Sequence, residues 1–221
     1  MSNVYFKDRK EAGEELSELL VDAYRYEDCA VVALSDGGVM VGEPIAEKLH
    51  SILTMVLTED ITLPGDNLVV GSASQNDVFS YNNQLTTSEV DEYMAEFHSY
   101  IEQERRVAHE KINRLIGDGG AFDRDLLIDR NIILVSDGLF SGSIIGAAME
   151  YLKPVRIKKL IVALPLANVA VVDYVHVHAD EVHILDVKED FMGVDHYYED
   201  NKIPTHEEIV DKLNRIIMNW R

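Results

Sequence analysis

The sequence predicts an α/β fold: a twisted, mainly parallel sheet flanked by helices, with a small accessory region. Three observations predict it. Aliphatic runs at 29–34, 52–57, 132–135, 159–164 and 182–187 have the near-continuous apolar character of strands buried on both faces. Apolar residues at helical spacing separate most of these runs, and the order strand, helix, strand implies parallel pairing with right-handed crossovers. No Pro-, Gly- or Ser-rich linker divides the 221 residues, a length suited to one sizeable core. A single domain over 1–221 is expected, with 58–120 as an inserted loop and long helix.

The elements follow in order. Asp8 reads as a helix N-cap, and Ala12, Leu16, Leu19, Leu20 and Ala23 repeat behind it at helical spacing. Residues 29–34 are the first buried strand, 35–38 a tight turn, 39–49 a helix and 52–57 the next strand. Leu63-Pro64-Gly65-Asp66-Asn67 is turn chemistry, and 68–72 with 77–81 suit a hairpin around Ser74-Gln75-Asn76. Residues 88–115 read as a long helix, with Ser88 and Asp91 in a capping-box arrangement. Glu102, Glu104, Arg105 and Arg106 charge that helix and are expected to form local ion pairs on a solvated face. Gly117-Asp118-Gly119-Gly120 is a connection without the alternating ligands of a calcium loop.

Strand 132–135 leads to helix 144–152, closed by Pro154. Strand 159–164, helix 168–177 and strand 182–187 follow. The chain ends in an amphipathic helix, 204–220, with Ile209, Leu213, Ile216 and Ile217 on one face. His176, His178 and His183 lack supporting carboxylates, and surface or edge positions are expected for them rather than a metal site.

Lys and Arg number 20 against 40 Asp and Glu, a net charge of -20. Such a field repels nucleic acid and anionic membrane, so neither is expected as a partner. Cys29 is the only cysteine, which rules out an internal disulfide and places it in a buried strand. With no signal-type apolar stretch and no long apolar span, a soluble protein of the reducing cytoplasm is expected.

The stretch that carries chemistry is Ile132-Ile133-Leu134-Val135-Ser136-Asp137-Gly138-Leu139-Phe140-Ser141-Gly142-Ser143. A buried strand, a hydroxyl- and glycine-bearing turn and a helix start together make an anion site, because free amides and the positive helix end point at one place. Ser141 and Ser143 offer further donors. Asp137 suits a sugar diol or a metal ion.

This segment resembles the PRPP-binding motif of type I phosphoribosyltransferases. Phe6-Lys7-Asp8-Arg9-Lys10-Glu11-Ala12-Gly13 is similar to the F-x-D-R-x-E-A-G opening of one branch of that family. Ala33-Leu34-Ser35-Asp36-Gly37-Gly38-Val39 stands where the family has its diphosphate loop. The tail, from Phe191-Met192-Gly193-Val194 through Tyr197-Tyr198-Glu199-Asp200 to Glu207-Glu208, resembles the closing segment of the same branch.

The resemblance implies Mg2+-dependent transfer of phosphoribose from PRPP to a nucleobase-like nitrogen acceptor, in a homo-oligomer. It implies a phosphate cradle of Gly138, Ser141, Gly142 and Ser143, and a diphosphate loop of Ser35, Asp36, Gly37 and Gly38. Asp137 and Ser136 would be the diol and catalytic pair, with Asp137 the metal ligand. It also implies a mobile loop near 58–81, where this chain holds Glu59, Asp60, Asp66 and Asp77 and no lysine or arginine. The departures are specific. Ser136 replaces an acid, Asp36 replaces an arginine, Phe140 replaces a small residue and Ile144 replaces a threonine. A second reading follows from them: a non-catalytic protein of this fold that binds a phosphorylated ligand or a protein partner.

Overall fold

Helix α1 (Arg9–Tyr24) starts where the Asp8 carboxylate accepts the Glu11 amide, and it buries Ala12, Leu16 and Leu20. Leu19 and Ala23, expected inside, are exposed, and Tyr24 takes the inward place. The computed structural model describes residues 6–65, 68–116 and 124–219. Strand β1 (Cys29–Ala33) is wholly buried. Helix α2 (Asp36–Leu49) begins three residues before the expected start, because Ser35 caps it by accepting the Gly38 amide. The expected tight turn is therefore the first turn of a helix. Gly13 of α1 lies so close to α2 that a Cβ there would be 2.2 Å from the Val41 carbonyl oxygen, a packing reason for that glycine.

Strand β2 (Ile52–Met55) ends two residues short of the expected strand. Strands β3 (Thr58–Thr62), β4 (Val69–Ser74) and β5 (Phe79–Tyr81) form a separate antiparallel sheet in the order β3-β4-β5. The expected hairpin is β4–β5, and β3 was not foreseen. Helix α3 (Thr87–Ile116) has a non-helical break at Phe97. Its capping box is Thr86 with Glu89, not Ser88 with Asp91: Glu89 accepts the Thr86 amide and Thr86 accepts the Glu89 amide. Arg105 pairs with Glu102 and lies 4.7 Å over the Phe79 ring, while Arg106 is exposed. The 117–120 connection, Asp66-Asn67 and Trp220 lie outside the described residues.

Strand β6 (Asn131–Val135), helix α4 (Ser143–Leu152), strand β7 (Lys159–Asn168), helix α5 (Val169–His178), strand β8 (Glu181–Lys188) and helix α6 (His206–Asn219) complete the order. The main sheet runs β2-β1-β6-β7-β8, all parallel, with β6 in the middle. Its period of two splits the core. Val31, Ala33, Ile133 and Val135 face α1, α2 and α6, where Ile209 and Leu213 are buried. Ala30, Val32, Ile132 and Leu134 face α4 and α5. His176 and His178 lie on α5 and His183 on β8, and among the described residues no three His, Cys, Asp or Glu gather as a metal site. No described helix is long and apolar enough to cross a membrane.

Candidate functional site

Strand β6 delivers Ser136 and Asp137 to the carboxyl end of the central strand, where parallel sheets gather their ligand sites. There Asp137 meets a partner from the start of the chain. Arg9 Nε donates to Asp137 Oδ2 at 2.7 Å, and Ser35 Oγ donates to Asp137 Oδ1 at 3.0 Å. The Asp137 backbone carbonyl accepts the Tyr198 hydroxyl at 2.6 Å. Arg9 is 3% exposed, reaches Asp195 Oδ1 with Nη2 at 2.7 Å, and lies 4.7 Å over the Tyr198 ring. Burial works against its charge, but the hydrogen bond and charge of Asp137 more than offset it, so the guanidinium pKa is raised. Burial pushes the Tyr198 hydroxyl up as well, with the Asp137 charge adding to it, and keeps it a neutral donor.

Gly37 makes room for this arrangement, since a Cβ there would lie 2.0 Å from Asp137 Oδ2. The protein's own carboxylate thus occupies the amino end of α2, where an external anion would sit. Asp36, one residue earlier, points elsewhere: its Oδ1 is 2.8 Å from His206 Nδ1 on α6. Ser136 is 2% exposed, with its hydroxyl within 3.5 Å of Asp137 Oδ1 and 3.4 Å of the Gly138 carbonyl.

The amino end of α4 is also occupied from within. Gly142 donates its amide to Asn83 Oδ1 at 3.1 Å, and the Ser143 amide goes to Ser141 Oγ at 3.2 Å. Ser141 donates to Asn82 Oδ1 at 3.2 Å and lies 2.8 Å from Ser143 Oγ. Ser143 Oγ lies 2.8 Å from Ser72 Oγ of β4, which donates to Asp60 of β3. Gln84 Nε2 donates to the Phe140 carbonyl at 3.1 Å. The segment after β5 and the small sheet therefore cover the turn. Phe140 does not fill it: its ring is half exposed and 6.2 Å from that of Phe191.

Beside the turn opens a cleft of about 570 Å³, lined by Leu139, Phe140, Ser141 and Ile144 on one side and by residues 191–194 on the other, with Gly138 and Asp60. Asp60 keeps contact with solvent at this cleft, yet partial loss of water around its carboxyl raises its pKa; the Ser72 hydrogen bond opposes the rise and Glu59 adds to it. The larger part of the lining is apolar, and Ser141 is the hydroxyl that the turn contributes to it.

The residues do not fit a protein-built Mg2+ site. Asp137 is the one acid of the turn, and both its oxygens are engaged by Arg9 and Ser35. Arg9 stood in the sequence only as part of an opening motif, and Phe191 only as part of a tail. Asn82, Asn83 and Ser72 gave no signal, because their roles depend on contacts across the fold.

No family model matches the chain. Two proteins of Mycobacterium tuberculosis, from two strains and each named putative phosphoribosyl transferase, are 25% identical over 215 residues. The alignment covers 95% of this chain and 46% of theirs, so the chain spans about half the length of the curated relatives it matches. The crystal structure of TT1426 from Thermus thermophilus superposes with a TM-score of 0.72 at 24% identity, covering 96% of this chain and 99% of that one. The chain shares the fold of TT1426, and the names of the two relatives agree with the resemblance in sequence.

Proposed function

We propose that this phosphoribosyltransferase-like protein binds a small molecule with a planar ring in the cleft between the 138–144 turn and residues 191–194, without transferring phosphoribose at Asp137. One observation carries the reading: the Asp137 carboxylate spends both oxygens on Arg9 and Ser35, within the protein. An acid so held, with its side chain only 11% exposed, offers a ribose diol little access. The cleft supports the binding half of the reading, since an apolar, aromatic-lined concavity with few polar groups is what a planar ligand requires.

A second reading has one observation in its favour. Ser141, Gly142 and Ser143 open α4 directly beside the cleft, at the place where a phosphorylated ligand such as PRPP would be held. On that reading the chain transfers phosphoribose from PRPP to a nucleobase-like nitrogen acceptor, with Mg2+, in a cytoplasmic homo-oligomer. Calorimetry with PRPP, with and without Mg2+, together with an assay of diphosphate release against a mixture of nucleobases, separates the two. The expected result is no diphosphate release and no tightening of PRPP by Mg2+. Release of diphosphate that depends on a nucleobase overturns the first reading in favour of the second.

A further inference from the structure

Among the described residues that line the cleft beside the turn, one is ionisable, and it is an acid. Asp60 stands with Leu139, Phe140, Ile144, Phe191, Met192 and Val194, and among the described residues no lysine, arginine or histidine lines the space. The two places nearby that would attract an anion already carry groups of the protein itself. The amino end of α2 holds the Asp137 carboxylate, and the Gly142 and Ser143 amides at α4 are bonded to Asn83 and Ser141. A phosphorylated ligand entering the cleft would meet Asp60 with no compensating cation, inside a chain of net charge -20. A planar cation would meet a carboxylate with Oδ1 fixed by Ser72, and two aromatic side chains, Phe140 and Phe191, that attract positive charge over their faces.

We propose that the cleft selects a planar aromatic cation, such as a protonated amino-heterocycle or an amidine, with the Asp60 carboxylate as the group that recognises its charge. This rests on the cleft being a ligand site, as proposed above, and it specifies the class of ligand. Met192 and Phe140 at the rim are 71% and 51% exposed, so the rim presents apolar surface that a flat ring would cover. Ser72 and Ser143 behind Asp60 hold its orientation through a continuous line of hydroxyls that ends at Ser141.

Three probes of the same shape and different charge test it on the full chain: benzamidine, benzamide and benzoate, titrated at millimolar concentration and followed by NMR shifts of the residues lining the cleft. Benzamidine is expected to bind at least about tenfold tighter than benzamide, a difference of about 1.4 kcal/mol, and benzoate more weakly than either. In Asp60→Asn the preference is expected to fall to within about threefold while benzamide affinity stays unchanged, because Asn keeps the shape and the Ser72 contact but not the charge. Phe140→Ala, at an exposed position, is expected to weaken benzamidine and benzamide alike. Benzoate binding as tightly as benzamidine, or a preference for benzamidine that survives in Asp60→Asn, overturns the assignment to Asp60 and leaves the cleft as a ligand site. If none of the three shifts the cleft residues, the ligand site itself is overturned, and this inference with it.

Discussion

Arg9 and Asp137 show how far one buried pair shapes this protein. Their side chains are 3% and 11% exposed, and each neutralises a charge that the interior would otherwise disfavour. Removing one partner leaves the other uncompensated. Arg9→Met is therefore expected to cost about 3–5 kcal/mol in urea unfolding, and Asp137→Asn in the same chain to recover much of the loss. The Arg9 contact with Asp195, whose side chain is 75% exposed, contributes little by comparison. The pair also changes what repair of the site would need. Ser136→Asp would put a second carboxylate beside Asp137 at a position only 2% exposed, where Arg9 is already paired with Asp137.

Asp60 offers a test by pH at the same scale. Its pKa in the folded protein is raised, chiefly by partial loss of water around the carboxyl. The stability that comes from its protonated form is full below the ordinary carboxylate pKa and is lost as pH rises through the raised value. Asp60→Asn, neutral at every pH, is thus expected to be more stable than the natural protein at pH 7. The gain should be less than about 1 kcal/mol because water screens the exposed group, and it should vanish near pH 3. Thermal melts across that range measure it, and a variant that is less stable at pH 7 would contradict the assignment.

Among the elements, the junction of α4 with the segment after β5 decides whether the turn accepts an anion. Asn83 accepts the Gly142 amide that a phosphate would otherwise take. The natural protein is expected to bind inorganic phosphate weakly there, and Asn83→Ala to bind it roughly tenfold more tightly, since one amide at a helix start is released. Calorimetry and a phosphate-soaked crystal of the variant check both the affinity and the place. Tightening without an ion at 142–144 would show that Asn83 is not the plug. The element boundaries teach a related lesson. Two glycines after Ser35 read as a turn because each costs a helix about 1 kcal/mol, yet α2 starts at Asp36. The cost is met by burial: Gly37 and Gly38 pack against Asp137, Ser136 and Val135 at the end of β6.

For the whole molecule the dominant quantity is charge. With 20 basic and 40 acidic residues, self-repulsion opposes the compact state more strongly at low ionic strength. Melting temperature is expected to rise by several degrees between about 10 mM and 500 mM NaCl, where the Debye length falls from roughly 30 Å to a few Å. A flat or falling curve would mean that surface pairs such as Arg156–Asp129 and Lys159–Glu181 already balance the field. Cys29 gives a second global readout. Burial first, tempered by the Asn131 hydrogen bond, pushes its thiol up to about 11, so labelling at neutral pH should report only unfolding.

Hydrophobic pattern alone dictates the layers and the place of the site. Near-continuous aliphatic runs, alternating with helical stripes, dictate a parallel sheet, and the run at 132–135, apolar on both faces, is its middle strand. A strand followed by Ser-Asp-Gly and a helix start then puts polar groups at the carboxyl edge of that sheet, whatever the rest of the chain does. Which groups those polar atoms meet depends on contacts between distant parts of the chain. Asp137 is answered by Arg9 from 128 residues away, and Gly142 by Asn83 from 59 residues away. Local propensity acts over a turn or two of chain, whereas these bonds exist because α1, the small sheet and the 191–198 segment dock around the end of β6. The same residues that read as an open anion site in sequence are therefore closed by partners that only docking brings within reach.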